Sequence, residues 1–156
     1  MLSLSIPGFG SVAAEYLVCD FTGTLSKDGR LLRGVGSRFR KLSTLLKIDV
    51  VTFDTFGTAR KALRRLPCVV TVLTGGEGSR QKETFLESLG PDRCIAVGNG
   101  INDRGMLAKA RLGIVVIGDE GAACKALAEA DIVVPNIVAA LDLLTTPRRI
   151  LATLRN

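Results

Sequence analysis

Histidine and tryptophan are absent from the 156 residues, and tyrosine occurs once. Without histidine there can be no Ser–His–Asp triad, no Cys–His pair and no histidine zinc site. Aromatic residues make up only 4% of the chain, too few to build a stacking platform for single-stranded nucleic acid. Cysteine is sparse as well: Cys19, Cys68, Cys94 and Cys124 are scattered, form no C-x-x-C, and each lies in or beside an apolar run. The expectation is buried free thiols in a reducing compartment, not a disulfide framework. No apolar run approaches the ~18–20 residues of a bilayer-spanning helix. No basic residue precedes Lys27, as a secretory signal would require. The reading is a cytoplasmic chain, with no membrane and no nucleic-acid partner.

What is there is material for a core. Hydrophobic residues make up 47% and charged residues 23%, a balance that excludes disorder. The length suits a single domain over 1–156, since domains cluster at about 100–150 residues. Lys and Arg outnumber Asp and Glu by 21 to 15, a net charge of +6. The basic groups at Arg60, Lys61, Arg64 and Arg65, and at Arg148, Arg149 and Arg155, read as solvated surface.

Short runs rich in Val and Ile recur at 14–20, 49–52, 68–73, 93–97, 113–117 and 131–134. They do not alternate with polar residues, as expected for strands covered on both faces of a parallel sheet. Amphipathic segments near 35–46, 58–66, 79–89, 103–110, 122–129 and 137–144 separate them. Strand–helix alternation of this kind predicts an α/β three-layer sandwich around a doubly wound, mostly parallel sheet. One stretch breaks the rhythm: Lys27-Asp28-Gly29 is a turn signal between apolar residues, which predicts a small hairpin near 24–33. Gly75-Gly76-Glu77-Gly78 does not fit a dinucleotide-binding pattern and reads as a connector before a helix.

In open α/β sheets, ligands bind outside the carboxyl ends of the strands. Three of the predicted strands end in Asp20-Phe21-Thr22-Gly23-Thr24, in Thr52-Phe53-Asp54-Thr55-Phe56-Gly57-Thr58-Ala59 and in Gly98-Asn99-Gly100-Ile101-Asn102-Asp103, and Lys82 lies in the first turns of a helix between the last two blocks. Carboxylates, a hydroxyl, a lysine and glycine-rich turns therefore converge on one edge. Asp20 to Thr24 resembles the D-x-T-G-T motif I of the haloacid dehalogenase-like (HAD) superfamily in its P-type ATPase form, with Phe21 where the pumps have lysine. The second block resembles the pumps' T-G-D-N-x-x-T-A, and the third their G-D-G-x-N-D. Lys82 stands where the superfamily keeps its motif III lysine.

The resemblance implies a magnesium-dependent phosphohydrolase or phosphotransferase in which Asp20 forms an aspartyl-phosphate. Asp20, Thr22, Thr52 and Lys82 would be catalytic. Phe21, Thr22, Gly23, Thr52, Phe53, Lys82 and Asn102 would bind phosphate, the first three through backbone N–H groups. Asp20, the Thr22 carbonyl, Asn99 and Asp103 would hold Mg2+. Lys82 is preferred to Arg80 as the phosphate cation. Asp54 either lines the site or serves as a helix-start carboxylate, and Thr55 and Thr58 suit the cap and first turn of that helix.

Two positions depart from the superfamily. Thr22 replaces the usual acid/base aspartate, which predicts slow turnover. It also leaves open a phospho-aspartate switch or regulatory binding module. Asn99 replaces an acidic metal ligand. The gaps between motifs leave no room for a cap, so the expected site is open. It suits a phosphorylated small molecule or macromolecule, with a lid supplied by a second copy or another partner.

Overall fold

The computed structural model describes residues 1–156. Its centre is a six-stranded, wholly parallel sheet built from β3 (Tyr16–Cys19), β6 (Lys47–Thr52), β7 (Val69–Val72), β8 (Cys94–Gly98), β9 (Leu112–Val116) and β10 (Ile132–Val134). The order across the sheet is β10-β9-β8-β3-β6-β7. The chain winds outward from β3 to β7, crosses back to β8, then winds the other way. The crevice between β3 and β8 is therefore the switch point at which this topology places ligands.

Strand side chains alternate between two apolar layers. Leu17, Cys19, Val50, Ile95, Val97 and Ile114 face one side, packed on α1 (Val35–Leu42) and α6 (Ile137–Thr145) through Phe39, Leu42, Leu141 and Leu144. Val18, Val51, Cys94, Ala96 and Val115 face the other, packed on α3 (Gly78–Leu89) and α4 (Arg104–Lys109) through Leu86, Met106 and Leu107. Both faces of the sheet are covered, which is why its strands read as unbroken apolar runs. Arg38 of α1 ties to Asp142 of α6 through two hydrogen bonds of 2.7 and 2.8 Å. The short helices α2 (Ala59–Leu63) and α5 (Cys124–Leu127) complete the crossovers. No helix is long and apolar enough to cross a membrane.

The structure departs from the sequence reading at both ends. Residues 2–14 form an antiparallel hairpin, β1 (Leu2–Ile6) and β2 (Gly10–Ala14), so Ala14 belongs to β2 and the first sheet strand starts at Tyr16. Leu2, Ile6, Val12 and Ala14 alternate inward in this hairpin and join the larger core layer. The arginine-bearing C-terminal segment is a helix, α7 (Arg148–Leu154), anchored by buried Ile150. The 103–110 helix is preceded by a single tight turn at Ile101–Asp103. No cysteine is paired, but burial differs from the expectation: Cys19 and Cys94 are buried, Cys68 is half-buried and Cys124 is exposed at the start of α5. The hairpin near 24–33 is present as β4 (Ser26–Lys27) and β5 (Arg30–Leu31).

Candidate active site

Asp20 directly follows β3, and its amide donates to Val97 O of β8 at 2.9 Å, which fixes it at the switch point. Lys82, fully buried in the first turns of α3, reaches under the sheet edge. Its Nζ donates to Asp20 Oδ1 at 2.5 Å and to Asp103 Oδ1 at 2.6 Å. The other Asp103 oxygen, Oδ2, accepts from the backbone amides of Asn99 at 2.9 Å and Gly100 at 2.8 Å. A carboxylate–ammonium–carboxylate row thus sits at the base of the site with a net charge of −1. Burial, and the like charge of Asp103, push the Asp20 carboxyl up to about 7 against the pull of Lys82. Burial alone would lower the Lys82 ammonium, but the two carboxylates outweigh it and hold it above its usual value.

A cleft of about 190 Å³ opens above this row, lined by Asp20, Thr22, Thr52, Phe53, Thr55, Asn99, Gly100 and Asn102. The buried Thr52 hydroxyl accepts from the Asp54 amide at 2.9 Å, so its own proton is free to donate into the cleft. Thr22 Oγ1 is buried and has no hydrogen-bond partner, an orphan that a bound oxygen species would satisfy. Phe21 points its ring into the core, so only its backbone can meet a phosphate. Gly23 has φ of 78°, and a Cβ there would stand 2.5 Å from Asn99 Nδ2, so motif I and the β8 turn approach as closely as glycine permits.

Most of the expected site residues are therefore gathered here, with different duties for some. Asp103 was expected among the metal ligands. It does not line the cleft: it is fully buried, and its oxygens are held by Lys82 and by the turn it braces. Gly98 lets it lie so close, since a Cβ at that position would come within 2.6 Å of the Asp103 side chain. Asp54 turns to α2, where Oδ1 accepts from the amides of Thr58 and Ala59 at 2.9 and 3.1 Å, leaving Thr55 to line the cleft. Thr58 Oγ1 donates to Gly29 O at 2.6 Å and so ties down the hairpin. Arg80 lies outside the cleft.

Sequence reasoning gave no role to Thr24 or Glu120. Thr24 Oγ1 donates to Asn99 Oδ1 at 3.0 Å, and Asn99 Nδ2 donates to Gly121 O at 2.9 Å, which locks the amide orientation. Glu120 Oε1 accepts from the Asp28 amide at 2.8 Å. Only the T-G-T tail of motif I hinted at Thr24, and nothing local signals Glu120.

No three His, Cys, Asp or Glu side chains converge to hold a metal ion. The lining residues nevertheless offer hard oxygens: the Asp20 carboxylate, the Thr22 segment with its orphaned hydroxyl, and the amide oxygen of Asn99, which has one lone pair left beside the bond it accepts from Thr24. This set fits a magnesium-type cation that keeps several waters, with a single protein carboxylate.

No family model matches the chain. The uncharacterized protein MJ0073 of Methanocaldococcus jannaschii is 53% identical over 64 residues, which are 41% of this chain and 69% of that protein. Among solved structures, a Legionella pneumophila protein of subfamily III A of the HAD superfamily hydrolases superposes with a TM-score of 0.71, at 16% identity, covering 90% of this chain and 87% of the other. The 3-deoxy-D-manno-octulosonate 8-phosphate phosphatase of Moraxella catarrhalis, in complex with magnesium ion, phosphate ion and KDO, gives 0.68 at 14% identity over 89% and 90% of the two chains. The catalytic domain of the CPx-ATPase CopB-B gives 0.56 at 20% identity, over 81% of this chain and 46% of that one. At these identities the likeness is one of fold.

Proposed function

We infer that this chain, which belongs to one family with MJ0073 and has the haloacid dehalogenase-like fold, is a capless phosphohydrolase or phosphotransferase that works through an aspartyl-phosphate on Asp20. The observation that carries this reading is the buried Lys82 bridge between Asp20 and Asp103 at the switch point of the sheet. A nucleophile held by one oxygen to a fixed cation, beneath a cleft lined with hydroxyls and amides, suits phosphoryl transfer. The magnesium and phosphate ions named for the Moraxella phosphatase lend the same support.

Asp20 must be ionised to attack. Lys82 grips Oδ1, which leaves the second oxygen without a side-chain partner. That oxygen forms the new bond to phosphorus as the bond to the leaving oxygen breaks. The Thr52 hydroxyl and the backbone amides of Phe21–Gly23 donate to the phosphoryl oxygens, where negative charge accumulates. Water then attacks the aspartyl-phosphate, releasing phosphate and restoring Asp20. The Asp20 carboxylate, the Thr22 carbonyl and the Asn99 amide would hold Mg2+, which supplies charge to the phosphoryl oxygens when bound. Thr22 has no acidic proton to give the leaving group and cannot activate the water. General acid–base help contributes typically ~10²–10⁴-fold, so turnover is expected to be slower by about that factor than with an aspartate. The hairpin at 24–33 stands in place of a cap, and the substrate is a phosphorylated small molecule or macromolecule met in the cytoplasm.

Acetyl phosphate hydrolysis, with and without Mg2+, beside Asp20→Asn is the test. Mg2+-dependent turnover abolished in Asp20→Asn is the expected result; turnover unchanged in that variant sinks the reading. Thr22 also favours a second reading, a phospho-aspartate switch. It predicts beryllofluoride binding at Asp20 with no turnover of any phosphate.

A further inference from the structure

We propose that the exposed face of α2, with Arg30 and Arg40 beside it, binds the phosphate backbone of double-stranded nucleic acid, a role that does not depend on the phosphoryl-transfer reading above. From residue 29 to 48 and from 55 to 76, the chain holds ten of its 21 Lys and Arg and none of its 15 Asp and Glu. Taken one segment at a time, these cations read as solvated surface. The fold puts the two segments side by side. A Cβ at Gly36 of α1 would stand 3.2 Å from Leu66 Cδ2, just past α2, and 3.5 Å from Arg40 Nη1. At the other end of α2, Thr58 Oγ1 donates to the Gly29 carbonyl, and β5, which carries Arg30, lies against the helix.

In α2 and the turn that follows it, Ala59 and Leu63 are buried in the core, and Ala62 and Leu66 pack half-buried against it. The exposed positions between them are 60, 61, 64 and 65, and all four are Arg or Lys. Arg60 with Arg64, and Lys61 with Arg65, stand four apart, a spacing at which like charges repel. None of Arg30, Arg40, Arg60, Lys61, Arg64 and Arg65 forms an ion pair. Asp54, ahead of α2, is taken up by the amides of Thr58 and Ala59. A polyanion cancels this repulsion, and a duplex offers one charge per ~1.7 Å of its axis. The exposed face of α2 has no apolar side chain to insert into a membrane interface. The scarcity of aromatics excludes base stacking but not contact with the backbone, so on this proposal the expectation of no nucleic-acid partner is reversed.

The test measures fluorescence anisotropy of short labelled DNA and RNA duplexes of mixed sequence, titrated with the full chain at several salt concentrations. Four phosphate contacts give a slope of about −3.6 in log K against log salt, so affinity should fall roughly 100-fold between about 50 and 200 mM salt. In Lys61→Gln/Arg65→Gln the slope should shrink by about 2. Arg148→Gln/Arg149→Gln removes the same charge from exposed positions of α7 and should leave the slope unchanged. Thermal melts show that each variant is folded. The tighter of the two duplexes names the backbone that the face fits. No binding of either duplex at about 50 mM salt, or binding without salt dependence, overturns the proposal. Equal losses in the two variants overturn the assignment to α2, because net charge alone would then set the affinity. Tighter binding to phosphatidylserine vesicles, or equal displacement of the duplex by poly-glutamate, overturns the choice of nucleic acid as the partner.

Discussion

Lys82 holds a positive charge between two carboxylates in the floor of the molecule, where none of the three could be left alone. In Lys82→Met, Asp20 and Asp103 face each other with no counterion. Removing one partner of a buried ion pair typically costs ~3–5 kcal/mol. Chemical denaturation should show a loss of that order at pH 8 and a smaller one at pH 5, where a carboxyl can take up a proton. The wild-type protein carries a gentler version of the same dependence. Asp20 titrates near 7 when folded, against 3.8 for an ordinary aspartate, so between these values the native state binds the extra proton. Stability of the metal-free protein should therefore fall as pH rises from about 4 to about 7 and then level off, with a slope of at most ~1.4 kcal/mol per unit from this group. Asp20→Asn removes that contribution, and urea titrations across the range would display it.

At the scale of elements, the hairpin β4–β5 hangs between two loops. On one side the Gly29 carbonyl accepts from Thr58 Oγ1; on the other the Asp28 amide donates to Glu120, and Lys27 pairs with Asp119 at 2.8 Å. The Lys27–Asp119 pair is solvent-exposed and screened, so it contributes little. Thr58→Val removes the more sheltered tie, at a cost near ~1 kcal/mol. Amide exchange in Ser26–Leu31 should quicken while that in β3 and β8 stays slow. Uniform protection across the hairpin and the sheet would show that the tie is not what holds it.

At the scale of the whole molecule, two apolar layers hold the sheet, and the site sits on the edge they leave uncovered. Leu141 of α6 is fully buried in the larger layer. Leu141→Ala leaves a cavity and should cost ~2–5 kcal/mol. The kcat of the protein that remains folded should not change, because no element contacting Asp20 is altered. A lower kcat at full folding would mean that α6 packing reaches the site.

The unbroken Val and Ile strands, the helices between them, and the placement of Asp20, Thr52 and Asn99 at or just past strand ends are legible in the order of residues alone. These follow from hydrophobic period and turn chemistry, which neighbours along the chain carry. The terminal hairpin was less legible, because Leu2, Ile6, Val12 and Ala14 find their partners only against α7 and the sheet. Which polar groups meet is set by the packed fold. Lys82 finds Asp20 across 62 positions and Asp103 across 21. Asp103 turns inward to brace the β8 turn, and Asp54 turns to α2. Such choices depend on which charges are buried together and which amides lack a partner, conditions that exist only once the sheet and its helices have packed.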